Sequence, residues 1–223
     1  MRAYGIKDEE ERRIFTTCYH EVGHALLLFW QGAREVNLSV IETDNTLGDT
    51  GYDDETALEF DGRGARILTC FAGDLAESFA WDDQNGLDTL ARRLFFRIRE
   101  LQKPGGTIHW GYDLDRAIEL ARRISPAKHA WRLFADMMTV WASDCYELLW
   151  RYEFELHKLA DRVYRRPTGV LTSKEFREIT KGWRKFRPPA GVWDDAADRI
   201  VQGFIFEDDL KAARLPKPKI EYD

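Results

Sequence analysis

Long apolar runs are missing from this sequence. The longest stretch without Asp, Glu, Lys or Arg is the 12 residues from Val22 to Ala33, against about 20 for a helix that crosses a bilayer. No membrane span is therefore expected. The first residues, Met1-Arg-Ala-Tyr-Gly-Ile-Lys-Asp-Glu-Glu-Glu11, turn acidic where a secretory signal is apolar. Cysteine is scarce. Three in 223 residues make no disulfide framework and point to a reducing, cytoplasmic compartment. Positive charge is in deficit: 33 Lys and Arg face 39 Asp and Glu, a net charge of −6. That argues against nucleic acid as a partner, because phosphate binding is driven by Lys and Arg. The dipeptide Gly-Lys does not occur, which excludes a Walker A loop. No internal repeat or low-complexity tract interrupts the chain.

What is present suits a packed core. Hydrophobic residues make up 44% of the chain and aromatics 13%, with eight Trp, enough for one large domain or a domain plus a tail. The first strong element spans about Glu9 to Gln31, with Asp8 as cap, Glu11 in capping-box spacing and Gly32 as the stop. Glu35 to Ile41 alternates with period two and predicts a strand. Asp44-Asn45 predicts a turn, and Thr46 to Tyr52 a second, Gly-broken strand. A helix over about Arg66–Ala80 puts Ile67, Leu68, Phe71, Leu75 and Phe79 on one face. Further helices are predicted over Leu87–Leu101 and Asp113–Ile124. Ser125-Pro126 then opens a helical pattern reaching Arg166. Unbroken, that pattern is about 60 Å long, so it must bend or divide, although no Gly or Pro marks the place. Trp131, Trp141 and Trp150 fall on its apolar spacing and are expected in the core. Pro167-Thr-Gly169 stops it, and Thr172 with Glu175 caps one more helix. Residues 183–223, with Pro188-Pro189, Pro216 and Pro218, read as an appendage.

One pentapeptide carries chemistry. His20-Glu21-Val22-Gly23-His24 lies inside the first helix. Residues four apart stand one above the other, so both imidazoles can reach one ion. Glu21, about 100° round the helix, can touch a water beside that ion without being an obvious ligand. Zinc lowers the pKa of such a water, and a carboxylate there serves as general base. On the motif alone, the other reading is a buried helix with two hydrogen-bonded histidines and a solvated Glu.

A catalytic zinc needs a third protein ligand. Cys18 is about 200° round the helix from His20. His109 lies in a loop, and His129 and His157 are read as ordinary surface or core residues. Asp113 shares a stripe with Ala117, Leu120, Ala121 and Ile124 and so faces inward, while Asp115, about 200° away beside Glu119, is expected in solvent. Asp113 could equally act as a helix cap. Glu77 sits opposite the apolar stripe of its helix, on a face with Cys70 and Gly73, where small residues let another helix approach. It is open as a ligand, as a partner to a ligating His, or as an exposed charge.

These residues resemble a family. Thr17-Cys-Tyr-His-Glu-Val-Gly-His-Ala-Leu26 is similar to the zinc helix of FtsH-type peptidase domains, the proteolytic half of AAA proteases. The likeness continues in order through Glu35–Ile41 with Thr46–Thr50, Ala72-Gly-Asp-Leu-Ala-Glu77, Asp113-Leu-Asp-Arg-Ala117, and Leu159–Glu178. It covers roughly residues 12 to 180, and only the zinc motif is specific by itself. The resemblance implies His20, His24 and Asp113 as zinc ligands, Glu21 as general base, and Glu77 as an acidic residue beside the site. It also implies residues 1–182 as the peptidase domain. Two departures stand out. The chain is longer between Glu77 and Asp113, as if a helix at about 87–103 were inserted, and Tyr112 replaces the usual Asn. Should the insertion displace the loop, Glu77 or His109 takes the place of Asp113.

The expected fold is α+β and predominantly helical: a zincin-like zinc helix beside a small sheet, followed by a helical bundle. The expected activity is zinc-dependent hydrolysis of peptide bonds. Substrate would pair with an exposed strand edge within Val36–Ile41 or Leu47–Gly51. The family's ATPase module and membrane anchor are not in this sequence. Substrates are therefore expected to be peptides, flexible segments, or chains brought by a separate unfoldase or adaptor. A homo-oligomer is compatible with the sequence. The competing expectation is a non-proteolytic interaction protein on the same scaffold.

Overall fold

A computed structural model of the chain describes residue 6, residues 8–33, 35–41, 48–52 and 63–103, residue 106, and residues 113–124 and 131–183. The expected turn at Asp44-Asn45, His109, Tyr112, the cap at Ser125-Pro126, His129 and nearly all of the C-terminal appendage lie outside these residues. Among those described are seven helices and one three-stranded antiparallel sheet, an α+β arrangement dominated by helix. No helix among the described residues is long and apolar enough to cross a membrane.

The elements run α1 (Glu9–Trp30), β1 (Val36–Ser39), β2 (Asp49–Tyr52), α2 (Arg63–Ala80), α3 (Gly86–Glu100), α4 (Asp113–Ile124), α5 (Trp131–Arg151), α6 (Glu153–Tyr164), β3 (Val170–Leu171) and α7 (Ser173–Thr180). Helix α1 is the axis of the fold. Asp8 caps it by accepting from the Glu10 amide at 3.2 Å. The expected capping box does not form, because the Glu11 carboxylate accepts instead from the Tyr164 hydroxyl on α6, at 2.6 Å. The chain leaves α1 through Gly32 at φ 97°, a backbone region that favours glycine. From Val22 to Trp30 every residue of α1 is buried, since α2, α6 and the sheet cover it on different sides.

Helix α2 runs antiparallel to α1, as the pairs His20–Glu77, His24–Thr69 and Gln31–Ala65 show. Its face of Ile67, Leu68, Phe71, Leu75 and Phe79 is buried as expected. The long helical pattern divides at Tyr152, whose amide is shared between the Leu148 and Leu149 carbonyls. The cause is tertiary: α5 lies on α2 and α3, whereas α6 turns onto α1. Tyr152 stacks on Trp30, with centroids 4.5 Å apart. Of the tryptophans assigned to the core, Trp141 is there, but Trp150 is 62% exposed. It sits in the last turn of α5, on the rim of a surface cavity that Ser78 and Phe79 of α2 also line.

The sheet order is β2-β1-β3, with Val36 opposite Tyr52 and Leu38 opposite Leu171. Strand β3 is two residues long and gives no periodic signal. Because it pairs with β1, β1 is central, and an open edge within Val36–Ile41 is ruled out for Leu38 and Ser39. Strand β2 is an edge among the described residues. Thr172 and Glu175 form the expected capping box of α7.

Asp115 corrects the expectation that it is solvated. It is 2% exposed and bonded by Arg97 of α3. Helical phase did turn it away from Asp113, but α3 packs on that side.

Candidate metal centre

The centre lies where α1, α2 and α4 meet. His20 Nε2, His24 Nε2 and Asp113 Oδ2 form a triangle with sides of 3.1, 3.2 and 3.0 Å. Ligand atoms bound at about 2.0–2.1 Å to a tetrahedral zinc lie about 3.3 Å apart, so the triangle has the size of one face of such a site.

The remaining ring nitrogens fix what the triangle presents. His24 Nδ1 lies 2.7 Å from the Thr69 carbonyl. That oxygen only accepts, so Nδ1 donates, and Nε2 of the neutral ring carries a lone pair. His20 Nδ1 faces Glu77 Oε1 at 2.7 Å, and donation to that carboxylate leaves its Nε2 in the same state. Two imidazole lone pairs and a carboxylate oxygen therefore converge. They repel unless a proton or a cation lies among them. The donor set, two imidazoles and one carboxylate, is one that suits zinc. Outward hydrogen bonds of this kind set the tautomer of metal-binding histidines.

Protonation follows the same geometry. Burial acts to lower the His20 imidazole, but its hydrogen bonds to Asp113 and Glu77 prevail and push it up to about 10. Burial acts to raise Asp113, and its hydrogen bonds to His20 and His24 hold it well below the usual carboxylate range. In the absence of a metal a proton is thus held within the triangle.

Glu21 stands beside the triangle and 6% exposed. Burial raises its carboxyl, and the hydrogen bond from Thr50 partly offsets this. Thr50 Oγ1 donates to Oε2 at 2.6 Å. Gly48 lies against the other side, where a Cβ would stand 2.5 Å from Oε1. Strand β2 and the residue just before it therefore supply the group that orients Glu21 and the space it occupies. Gly73 does the same for the histidines, since a Cβ there would stand 2.5 Å from His24 Nε2 and 2.6 Å from His20 Nε2.

All four residues proposed from the motif and the resemblance, His20, Glu21, His24 and Asp113, are brought together, and Glu77 adjoins His20 on its outer side. A second grouping, His20 with Asp74 and Glu77, shares one imidazole with the first. Asp74 there is engaged by Arg93 at 2.8 Å. Cys18 is buried on another face of α1, its thiol pushed up to about 12 by burial. His157 bonds the Tyr19 hydroxyl at 2.6 Å and Glu153 at 3.1 Å, which is a packing role. Sequence reasoning missed Thr50, Gly48 and the Thr69 carbonyl. Gly48 and Thr50 lay in a segment noted only for its likeness to a strand, and a backbone acceptor leaves no trace in a sequence.

The centre opens into a groove of about 420 Å³ floored by α1 and walled by β2 on one side and α2 with α4 on the other. Compared with known proteins, the chain matches no protein-family model and no curated protein.

Proposed function

We propose that this chain is a zinc-dependent metalloendopeptidase of the FtsH type, with α1 as a zincin-like zinc helix beside a small sheet. The observation that carries the reading is the convergence of three lone pairs from His20, His24 and Asp113 beside a buried, hydrogen-bonded Glu21. In this reading the three residues hold the ion, and Glu77 is the partner that orients His20. Zinc held there would polarise a carbonyl and make a neighbouring water easier to ionise. Glu21 takes the proton of the attacking water and returns it to the leaving amine nitrogen. Thr50 holds Oε2 by a hydrogen bond and so orients the carboxylate for that transfer. Substrate lies extended along the edge of β2 and pairs by main-chain hydrogen bonds. Peptides, flexible segments and chains delivered by a separate unfoldase or adaptor fit such a groove.

Bound zinc and cleavage of an unfolded protein test this in the wild type, Glu21→Gln and Asp113→Ala. Glu21→Gln is expected to keep zinc and to lose activity about 10²–10⁴-fold. Asp113→Ala is expected to bind zinc more weakly. A wild-type protein that takes up no zinc refutes the reading. The exposed Trp150 and Phe154, at 62% and 70%, favour a second one, a non-proteolytic interaction protein, in which Glu21→Gln changes nothing.

A further inference from the structure

The groove is electrically uneven along its length. Around His20 three of its acids are committed, Glu77 to His20, Glu21 to Thr50, and Asp113 to the two histidines, and Asp49 of β2 lines the groove as well. Past His24 the lining changes to Leu28 on the floor, Arg66 on α2, Arg116 and Leu120 on α4, and Tyr52 on β2. The antiparallel packing of α2 explains why Arg66 comes at this end, since Ala65 lies against Gln31. Arg116 follows Asp113 by three residues, so it shares that helix face one turn on. Its charge and that of Asp113 both act on the Cys70 thiol, in opposite senses. Arg116 is exposed and, among the described residues, has no hydrogen-bond or ion-pair partner. Tyr52 pairs with Val36 at the far end of β2 from Asp49; Arg66 has a partner of its own, so Arg116 is the guanidinium that carries the argument.

A chain of net charge −6 thus places two guanidinium groups along one half of its groove, beside aliphatic side chains that lower the local dielectric. We propose that this half is a subsite for a substrate carboxylate, either an Asp or Glu side chain or the C-terminal carboxylate of a peptide, with Arg116 as the residue that selects it. A helical turn is about 5.4 Å and an extended residue about 3.3 Å, so the selected carboxylate lies within about two residues of the scissile bond. Guanidinium and carboxylate match in planar, two-point geometry. The inference rests on the peptidase reading and deepens it, because pairing along β2 alone reads little side-chain sequence.

The test is peptide binding to the Glu21→Gln protein with zinc supplied, measured by fluorescence anisotropy. One neutral, amidated peptide is compared with versions in which Glu, Gln or Lys is walked through the sequence, and with a neutral version whose C-terminus is free. At one position Glu is expected to bind about five- to tenfold tighter than Gln, with the gain shrinking as salt rises. A gain for the free C-terminus instead assigns the subsite to a terminal carboxylate. Adding Arg116→Glu is expected to invert the order and favour Lys, an outcome that misfolding cannot imitate. Arg116→Ala is expected to level it. The proposal is overturned if neither Glu nor a free C-terminus gains more than twofold, or if the gain survives Arg116→Glu. Wild-type protein with zinc is assayed on the same peptides. Failure to cut any of them counts against the peptidase reading, while the binding ratios still decide the subsite.

Discussion

Arg97 on α3 holds Asp115 on α4 with two nitrogens of one guanidinium edge, Nε to Oδ1 at 2.6 Å and Nη2 to Oδ2 at 2.5 Å. The Asp115 side chain is 3% exposed and Arg97 27%. Asp113 is two residues away on the same helix. The helix that the resemblance marks as an insertion therefore anchors the helix that carries the carboxylate of the triangle. Arg97→Ala leaves a buried carboxylate without its bidentate partner. It is expected to destabilise the protein by about 2–4 kcal/mol in urea unfolding, less than a fully buried pair because Arg97 is partly exposed. Zinc affinity is expected to fall with it, and Arg97→Lys to restore stability in part. Unchanged zinc affinity in a folded Arg97→Ala protein would separate the two helices functionally.

Gly73 allows α2 to pass against both imidazoles. Gly73→Ala puts a methyl group 2.5–2.6 Å from two nitrogens of the triangle, so the rings must move. Zinc affinity is expected to drop at least about tenfold, as when the supports of a metal site are disturbed. The overpacking cost of about 1–3 kcal/mol is partly offset by the better helix propensity of Ala. Metal titration alongside a thermal melt distinguishes this local effect from unfolding.

Thr50 lowers the Glu21 carboxyl while burial raises it. Thr50→Val removes the hydroxyl at nearly constant volume, so the Glu21 pKa is expected to rise further. A general base acts ionised, so the acid limb of the kcat/KM profile should move to higher pH. Zinc content should not change. A profile that stays in place would show that Glu21 is not the titrating base.

Metal-free protein should lose stability as the solution becomes alkaline. His20 is raised from 6.5 to about 10 in the folded state. A raised pKa contributes stability that is fully present below about pH 6.5 and is lost as pH climbs through about 10. Asp113 is lowered from 3.8, and its contribution is present above that value and lost toward strong acid. Denaturant midpoints of the metal-free protein should therefore peak between about pH 4 and 6.5. Zinc competes with the same proton, so its affinity should rise with pH.

Local rules carried much of the fold. The 3.6-residue spacing marked α1, α2 and the α5–α6 pattern, and it placed His20 and His24 on one face because that depends only on helix geometry. The Thr172–Glu175 capping box formed because both partners lie within one turn. The helical phase of Asp113 also held, and it now lies at the two histidines.

Everything that depends on a distant neighbour was decided by packing. Asp115 was turned from Asp113 as its phase required, yet it is buried because α3 brings Arg97 to it. Glu77 was open among three roles until α2 set it against His20. Glu11 serves Tyr164 rather than its own helix, and Trp150 is exposed although it falls on the apolar spacing. A two-residue strand closed one side of β1, which left β2, beside Glu21, at the end of the sheet among the described residues. Backbone periodicity is a property of neighbouring residues and is written in their order. Which charge meets which, and which edge stays open, depends on contacts between segments far apart in the chain, where single residues such as Gly73 and Thr50 set the spacing of the centre.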